Sequence, residues 1–250
     1  MNNDLSNMET LIQKNGVKSI DRWSPSMLCE FERALYQGAF NGMKHELRKN
    51  IVYSLQYLQY IQLQLEELIL HSVITTQLWK SYIIISMGIV EGIFYHLLKV
   101  SGNQNKTEWE EKSRVSTNVY KDSGVDTKNE IITYRKLSTA VEARMDFEAM
   151  IAKVRSKHLL KLPQAAYPYI KELKEIRNKV HLHISKKDYE TDYNKLSVVD
   201  YYLARYVLYR ILTDGVFSPE KYGNKFDWIR LTKDQEIQMS DTLTRRRKEK

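Results

Sequence analysis

The chain has 250 residues, which suits one large domain and is long enough to bury a sizeable core. Its 9 glycines and 4 prolines are few for this length, which favours a helical protein. The net charge of +8 permits a polyanionic partner without proving one. Cys29 is the single cysteine, so an intrachain disulfide is excluded and a cytoplasmic protein is expected.

The first hundred residues predict three helices. Residues 1–23 are predicted to be a loosely ordered lead-in. A short helix is then predicted to begin with Ser24 as its N-cap and Pro25 at its first position. Apolar residues recur every three or four positions over 44–70, which indicates a long helix. The stretch 76–100 is apolar nearly all round and therefore predicts a helix surrounded by others.

The apolar helix over 76–100 also bears on membrane insertion. It contains Glu91 and His96, and its apolar run is shorter than a membrane span requires. We therefore expect a buried core helix and no contact with a membrane. The N-terminal "MNNDLSNMET" lacks a basic region followed by an apolar one, so no signal peptide is expected.

The second part of the chain begins with a long polar segment. Residues 101–129 show little helical period, which predicts a long loop carrying at most a short hairpin around "KDSG". Helical periodicity returns in three stretches. The first covers residues 130–160, the second begins between Pro163 and Pro168 and ends near residue 184, and the third covers residues 196–213. The final "RRRKEK" predicts a solvated basic tail, with contact to RNA as the alternative.

Together these elements predict an all-α fold, a helical bundle with one long polar excursion between core helices. The bundle occupies residues 44–213, and the excursion is the polar insertion at 101–129. Residues 1–43 are an N-terminal extension with a short helix, and residues 214–250 are a C-terminal extension with the basic tail.

One stretch near the end of the bundle, "KEIRNKVHLHIS", combines an arginine, an asparagine and two histidines. At the helical period, with Leu173 at the centre of the apolar face, Arg177 lies about 40° from that centre. His181 and His183 lie about 80° from it on opposite sides, while Asn178 points well away. An arginine is therefore placed close to an apolar stripe.

Arg177 needs a partner, because an unpaired guanidinium beside apolar side chains would be costly. Glu91 is the candidate, since it interrupts an otherwise apolar helix of the same bundle. On periodicity alone, the pair is interpreted as an internal ion pair and the two histidines as residues at a helix end. This interpretation involves no chemistry.

The motif "RNKVHLH" after an apolar-periodic helix, in a basic and mostly helical chain, resembles the HEPN superfamily. The hallmark of that family is an arginine, a polar residue that is often asparagine, a short spacer and a histidine. Arg177 and His183, with "NKVHL" between them, match this spacing, whereas His181 comes too early. The helix "SMGIVEGIFYHLLKV" is similar to an earlier core helix of the family, which often carries an acidic residue near the site. The resemblance covers residues 44–213.

The resemblance implies a metal-independent endoribonuclease of a prokaryotic defence or toxin system, a hydrolase that needs no cofactor. It implies a homodimer in which the motif helices of two subunits form one site, with RNA as substrate and an antitoxin or regulatory protein as a further partner. His183 is then the acid/base, with His181 as the alternative, and Arg177 holds the phosphate. Asn178 holds a phosphate oxygen or orients the histidine, and Glu91 orients Arg177.

Two interpretations without catalysis stand beside the ribonuclease. One is a non-catalytic HEPN-like dimeric module that binds a partner protein or a nucleotide. The other is a plain helical interaction protein whose arginine is structural. No metal-binding or nucleotide-binding motif is present in the sequence. The remaining histidines, His45, His71, His96 and His158, are expected to be ordinary packed or surface residues.

Overall fold

The structure is a computed structural model, and it describes residues 24–178 and 191–248. The chain divides into two compact units. Gly102–Asp146 forms one of them, here called the hairpin unit. The residues before and after it form the other, here called the helical unit.

Eight α-helices lie in the described part of the helical unit. They are α1 Leu28–Ala34, α2 His45–Glu67, α3 Ser72–Val100, α4 Phe147–Ser156, α5 Tyr167–Asn178, α6 Asp192–Lys195, α7 Val198–Leu212 and α8 Lys233–Lys248. Short 3-10 helices lie at Gly38–Phe40, Gln164–Ala166, Gly215–Phe217 and Gly223–Ile229.

Helix α3 is the centre of the helical unit, and α2, α4, α5 and α7 pack around it. Its side chains are buried on several sides, including Tyr82, Met87 and Phe94, each fully inaccessible. This explains why its sequence is apolar nearly all round. In the described part of the chain, α3 alone is long and apolar enough to cross a membrane, but a buried core helix has the same properties.

The predicted all-α fold is wrong. Over the described residues the structure is 62% helical and also contains four strands, so this part of the chain is a mixed helix-and-sheet protein. The strands are β1 Lys106–Ser116, β2 Tyr120–Asp122, β3 Val125–Thr127 and β4 Glu130–Glu142. The predicted helix over 130–160 is therefore helical only in α4, because the stretch "EIITYRKLSTAVE" is rich in the β-branched and aromatic residues that favour strands.

The hairpin unit is one long antiparallel ribbon. Strand β1 pairs with β4, and β2 pairs with β3 nearer the tip. Ser123 and Gly124 connect β2 to β3 with φ angles of 50° and 84°. Positive φ at both positions is what a two-residue hairpin turn with the twist of its strands requires, and glycine adopts it without strain. The hairpin predicted around "KDSG" is confirmed, although the strands extend well beyond it.

Several predicted helices are confirmed with shifted ends. The long periodic stretches 44–70 and 76–100 are α2 and α3, and 196–213 is α7. The short N-terminal helix begins at Leu28, later than the predicted N-cap at Ser24. The lead-in predicted at 1–23 lies outside the described residues.

The C-terminal region contains more structure than the tail that the sequence predicts. Residues Lys233–Lys248 form helix α8, which packs on α7. Two of its arginines, Arg246 and Arg247, make specific contacts with α7 and α5.

Candidate functional site

Helix α5 holds the first residues of the motif in place. Its side chains Tyr167, Ile170 and Leu173 are almost completely buried, and α5 packs against α3 and α4. Leu173 is thus at the centre of the apolar face, as the helical period predicts. Arg177 follows one turn later, which directs it towards α3.

Arg177 and Glu91 form an ion pair between α5 and α3. The Arg177 Nη2 atom donates to the Glu91 Oε2 atom at 2.5 Å. The pairing that the sequence predicts is therefore confirmed. The two side chains are 34% and 28% exposed, so the pair lies at the surface of the helical unit rather than deep in its core.

Asn178 is the other described neighbour of the guanidinium. The Arg177 Nη1 atom donates to the Asn178 Oδ1 atom at 3.3 Å, and Asn178 itself is exposed. The helical period predicts that Asn178 points well away from the apolar face. The exposure of Asn178 agrees with this prediction, although its side-chain amide still contacts the Arg177 guanidinium. A cation, a carboxylate and an amide are thus assembled at one exposed place.

The two histidines of the motif, His181 and His183, lie outside the described residues, which resume at Thr191. After that point, the Tyr193 hydroxyl donates to the Ser72 Oγ atom at 3.3 Å, at the start of α3. Both described flanks of residues 179–190 therefore contact α3.

A second arginine shows what a purely structural role looks like in this protein. The Arg205 side chain is 4% exposed. Its guanidinium donates to the carbonyl oxygens of Trp228, Ile229 and Arg230 at 3.3, 3.1 and 3.0 Å. It thereby closes the C-terminal end of the 3-10 helix Gly223–Ile229, whose carbonyls would otherwise lack partners. Arg177 differs in its exposure, which leaves its cation accessible to a ligand.

Arg246 in α8 is also structural, and sequence analysis missed it. Its guanidinium contacts Asp200 at 2.7 Å and the Ser197 hydroxyl at 2.9 Å. Ser197 and Asp200 form a capping box at the start of α7. The Ser-x-x-Asp spacing before an apolar run is a sequence signal for this cap, but it does not indicate Arg246 as the partner.

Arg247 anchors α8 to α5. It donates to the Tyr169 hydroxyl at 2.6 Å, and its guanidinium lies 5.0 Å from the centre of that ring. Over its described residues the predicted tail is the end of helix α8, and Arg245, Arg247 and Lys248 are exposed there, as a solvated tail requires. This use of two arginines weakens the alternative in which the whole basic run contacts RNA.

The other histidines behave as the sequence predicts. His96 is buried, and its Nε2 atom lies 2.7 Å from the Ala39 carbonyl oxygen. Burial lowers the pKa of His96, although the bond to Ala39 opposes this shift. His71 accepts a hydrogen bond from the Val73 amide at the start of α3. His45 and His158 are exposed.

A metal-binding cluster or a cleft would be another place for a site. Within residues 24–178 and 191–248, no group of three or more histidine, cysteine, aspartate or glutamate side chains could hold a metal ion. An open cleft of about 460 Å³ lies beside the end of α7, where the Tyr209 hydroxyl donates to Asp227 at 3.2 Å. Arg177, Asn178 and Glu91 do not line this cleft.

No family model, curated protein or solved structure matches the chain. An assignment of function therefore depends on the motif and on the geometry of its described residues.

Proposed function

We propose that the protein is a metal-independent endoribonuclease with its site at Arg177. The observation that carries the proposal is the Arg177 guanidinium, on a side chain about a third exposed, paired with Glu91, beside Asn178 and shortly before two histidines in the sequence. The proposal includes a homodimer acting in a prokaryotic defence or toxin system, in line with the HEPN resemblance of the motif.

The proposed reaction uses a nucleophile that RNA supplies itself. The 2′-hydroxyl oxygen attacks the adjacent phosphorus, and the bond from phosphorus to the 5′-oxygen of the next nucleotide breaks. One imidazole accepts the 2′-hydroxyl proton, and a protonated imidazole gives its proton to the departing 5′-oxygen. The products carry a 2′,3′-cyclic phosphate and a 5′-hydroxyl. His183 is the proposed acid/base, with His181 as the alternative, because imidazole titrates near neutral pH.

Arg177 stabilises the charge that develops on the phosphorane in this reaction. A guanidinium carries five N–H donors in a planar fork. In the described part of the chain, the Arg177 Nη2 atom donates one hydrogen bond to Glu91 and the Nη1 atom donates one to Asn178. Further donors can therefore meet a phosphate oxygen. Glu91 acts as a positioning residue, since it restricts the rotamers of Arg177 before substrate binds.

A non-catalytic dimeric module that binds a partner protein or a nucleotide is the second candidate. The observation in its favour is the same ion pair, since Glu91 already balances the charge of Arg177 within one chain. In this case the motif would serve binding, and RNA would not be cleaved.

The test is cleavage of a mixed RNA pool by the full-length protein in EDTA. We expect wild-type activity to persist in chelator, and Arg177→Ala and His183→Ala each to lose about 10²–10³-fold in rate. Arg177→Lys should also be poor, because an ammonium cannot reproduce the two-point grip on phosphate. His45→Ala is the control, since His45 is an exposed histidine at the start of α2.

Thermal unfolding of each variant separates loss of chemistry from loss of fold. Full activity of a folded Arg177→Ala protein would reject the site. Cleavage that requires added Mg²⁺ would reject the mechanism. Binding of RNA or nucleotide without cleavage would favour the second candidate.

A further inference from the structure

The hairpin unit presents an unusually exposed pair of strands. Strands β1 and β4 form a two-stranded sheet, so within the described residues each has one edge without a neighbouring strand. Large apolar side chains are about half exposed or more: Trp109, Val115, Ile131, Tyr134 and Val141. An isolated two-stranded hairpin is at best marginally stable in water, and open edges readily accept another strand. The ribbon therefore has the properties of a docking element.

The charge of the hairpin unit argues against a polyanion as its occupant. Residues 102–146 contain eight basic and eight acidic side chains, so the excess of +8 in the whole chain lies elsewhere. The basic residues are Lys106, Lys112, Arg114, Lys121, Lys128, Arg135, Lys136 and Arg144, and the acidic residues are Glu108, Glu110, Glu111, Asp122, Asp126, Glu130, Glu142 and Asp146. This mixture of acidic and basic side chains favours, as the partner, another protein strand that also carries charges of both signs.

The two strands differ in how regular their open edges are. Every residue from Glu130 to Lys136 in β4 has a successive partner in β1, with no extra residue on β4. In β1 the register shifts between Glu111 and Ser113, which leaves Lys112 as an extra residue. Beyond Lys136 the register shifts again, where residues 137–140 of β4 stand against Glu108 alone. Because bulges disturb an edge, the segment Glu130–Lys136 of β4 offers the best surface for adding a strand.

The sequence of this regular segment, "EIITYRK", is complementary to itself in antiparallel register. With Thr133 opposite Thr133 of a second copy, Glu130 meets Lys136. In the same register Ile132 meets Tyr134. Opposite charges, an aromatic against a β-branched residue, and threonine against threonine are the favourable cross-strand pairs. Ile131 meets Arg135, which is already paired with Glu110 at 2.5 Å.

We propose that β4 is a dimerisation edge, on which a second copy of this chain adds its own β4 in antiparallel register centred on Thr133. The product is a four-stranded sheet in which the two β4 strands are central. The contact is isologous, so each favourable pair occurs twice and the assembly closes at two copies. This proposal goes beyond the ribonuclease, because it assigns a contact surface in the hairpin unit and holds whether or not RNA is cleaved.

A disulfide tests the register. Thr133→Cys is made in full-length protein carrying Cys29→Ser, because the native Cys29 thiol is exposed. Opposite residues in an antiparallel pair lie about 4.5–5.5 Å apart between Cα atoms, within reach of a disulfide. We expect mild oxidation to convert most of the protein to a covalent dimer. Ser113→Cys is the matched control, since Ser113 pairs with Thr133 inside the hairpin. Its copies would be three strand spacings apart, about 14 Å, and should not crosslink.

A charge variant tests the same surface without crosslinking. Lys136→Glu places two acidic pairs across the contact and should weaken dimerisation about tenfold or more in light scattering. Lys112→Glu makes the same charge change on β1 and should leave the dimer intact. Four results would each overturn the proposal. Two concern the disulfide: equal crosslinking of the Ser113→Cys and Thr133→Cys variants, or a dimer that Thr133→Cys fails to crosslink. The other two are a wild-type monomer at micromolar concentration and equal effects of the two charge variants. None of these readouts involves RNA, so they are independent of the ribonuclease test.

Discussion

The contact between Arg177 and Glu91 gives the most detailed prediction for stability. Two unit charges about 4 Å apart interact by about 4 kcal/mol at the effective dielectric constant of a protein surface. Both side chains are about a third exposed, so desolvation and solvent screening reduce the net value. A charge-assisted hydrogen bond at such a site is expected to stabilise the fold by about 1–2 kcal/mol.

A double-mutant cycle measures this interaction. Arg177→Met and Glu91→Gln keep the approximate size of each side chain and remove its charge. We expect each to lower the melting temperature by about 2–6 °C, given the size of the chain. The coupling free energy from urea unfolding of both single variants and the double variant should be about 1 kcal/mol. A coupling below about 0.3 kcal/mol would refute the paired geometry on which the site depends.

Three other predictions concern the helical unit. Burial lowers the pKa of His96, so its contribution to stability is present above the unfolded pKa of about 6.5 and is lost as pH falls below it. The melting temperature of the wild type should therefore drop more between pH 7.5 and 5.5 than that of His96→Gln. Asp200→Ala should cost about 2–4 kcal/mol in urea unfolding, because it removes the cap of α7 and the partner of Arg246, whereas no change would argue against docking of α8. Gly38→Ala should cost more than about 2 kcal/mol, since its Cβ would lie 2.3 Å from a backbone carbon. Gly42→Ala is the control, because it has a similar positive φ but open space, and about 1 kcal/mol is expected.

The helices of the core could be predicted because their periodicity is set by burial. Helix α3 is apolar all round since other helices surround it, and the single carboxylate Glu91 therefore stands out in its sequence. The same reasoning located the partner of Arg177. Both inferences depend only on the cost of placing a charge beside apolar side chains.

The hairpin unit could not be predicted in this way, because its side chains are exposed on both faces. Without a buried face, a strand shows no alternation between apolar and polar residues, so the sequence predicts "EIITYRKLSTAVE" to be helical. The composition of β4 was the better signal, since isoleucine, threonine, tyrosine and valine favour strands. The contacts of Arg246 carry no such signal, because α8 is a polar helix and its arginines interrupt no apolar stripe.

The central claim is that the site at Arg177 cleaves RNA through its own 2′-hydroxyl. The most direct measurement compares cleavage of two end-labelled RNAs in EDTA. The first is an RNA that the protein cleaves in the mixed pool, and the second is the same RNA with a 2′-deoxy nucleotide at the cleaved position. The account predicts a 2′,3′-cyclic phosphate product from the first RNA, no cleavage of the second, and loss of product with folded Arg177→Ala protein. Cleavage of the 2′-deoxy substrate at the same bond, or an undiminished rate for the folded variant, would contradict it.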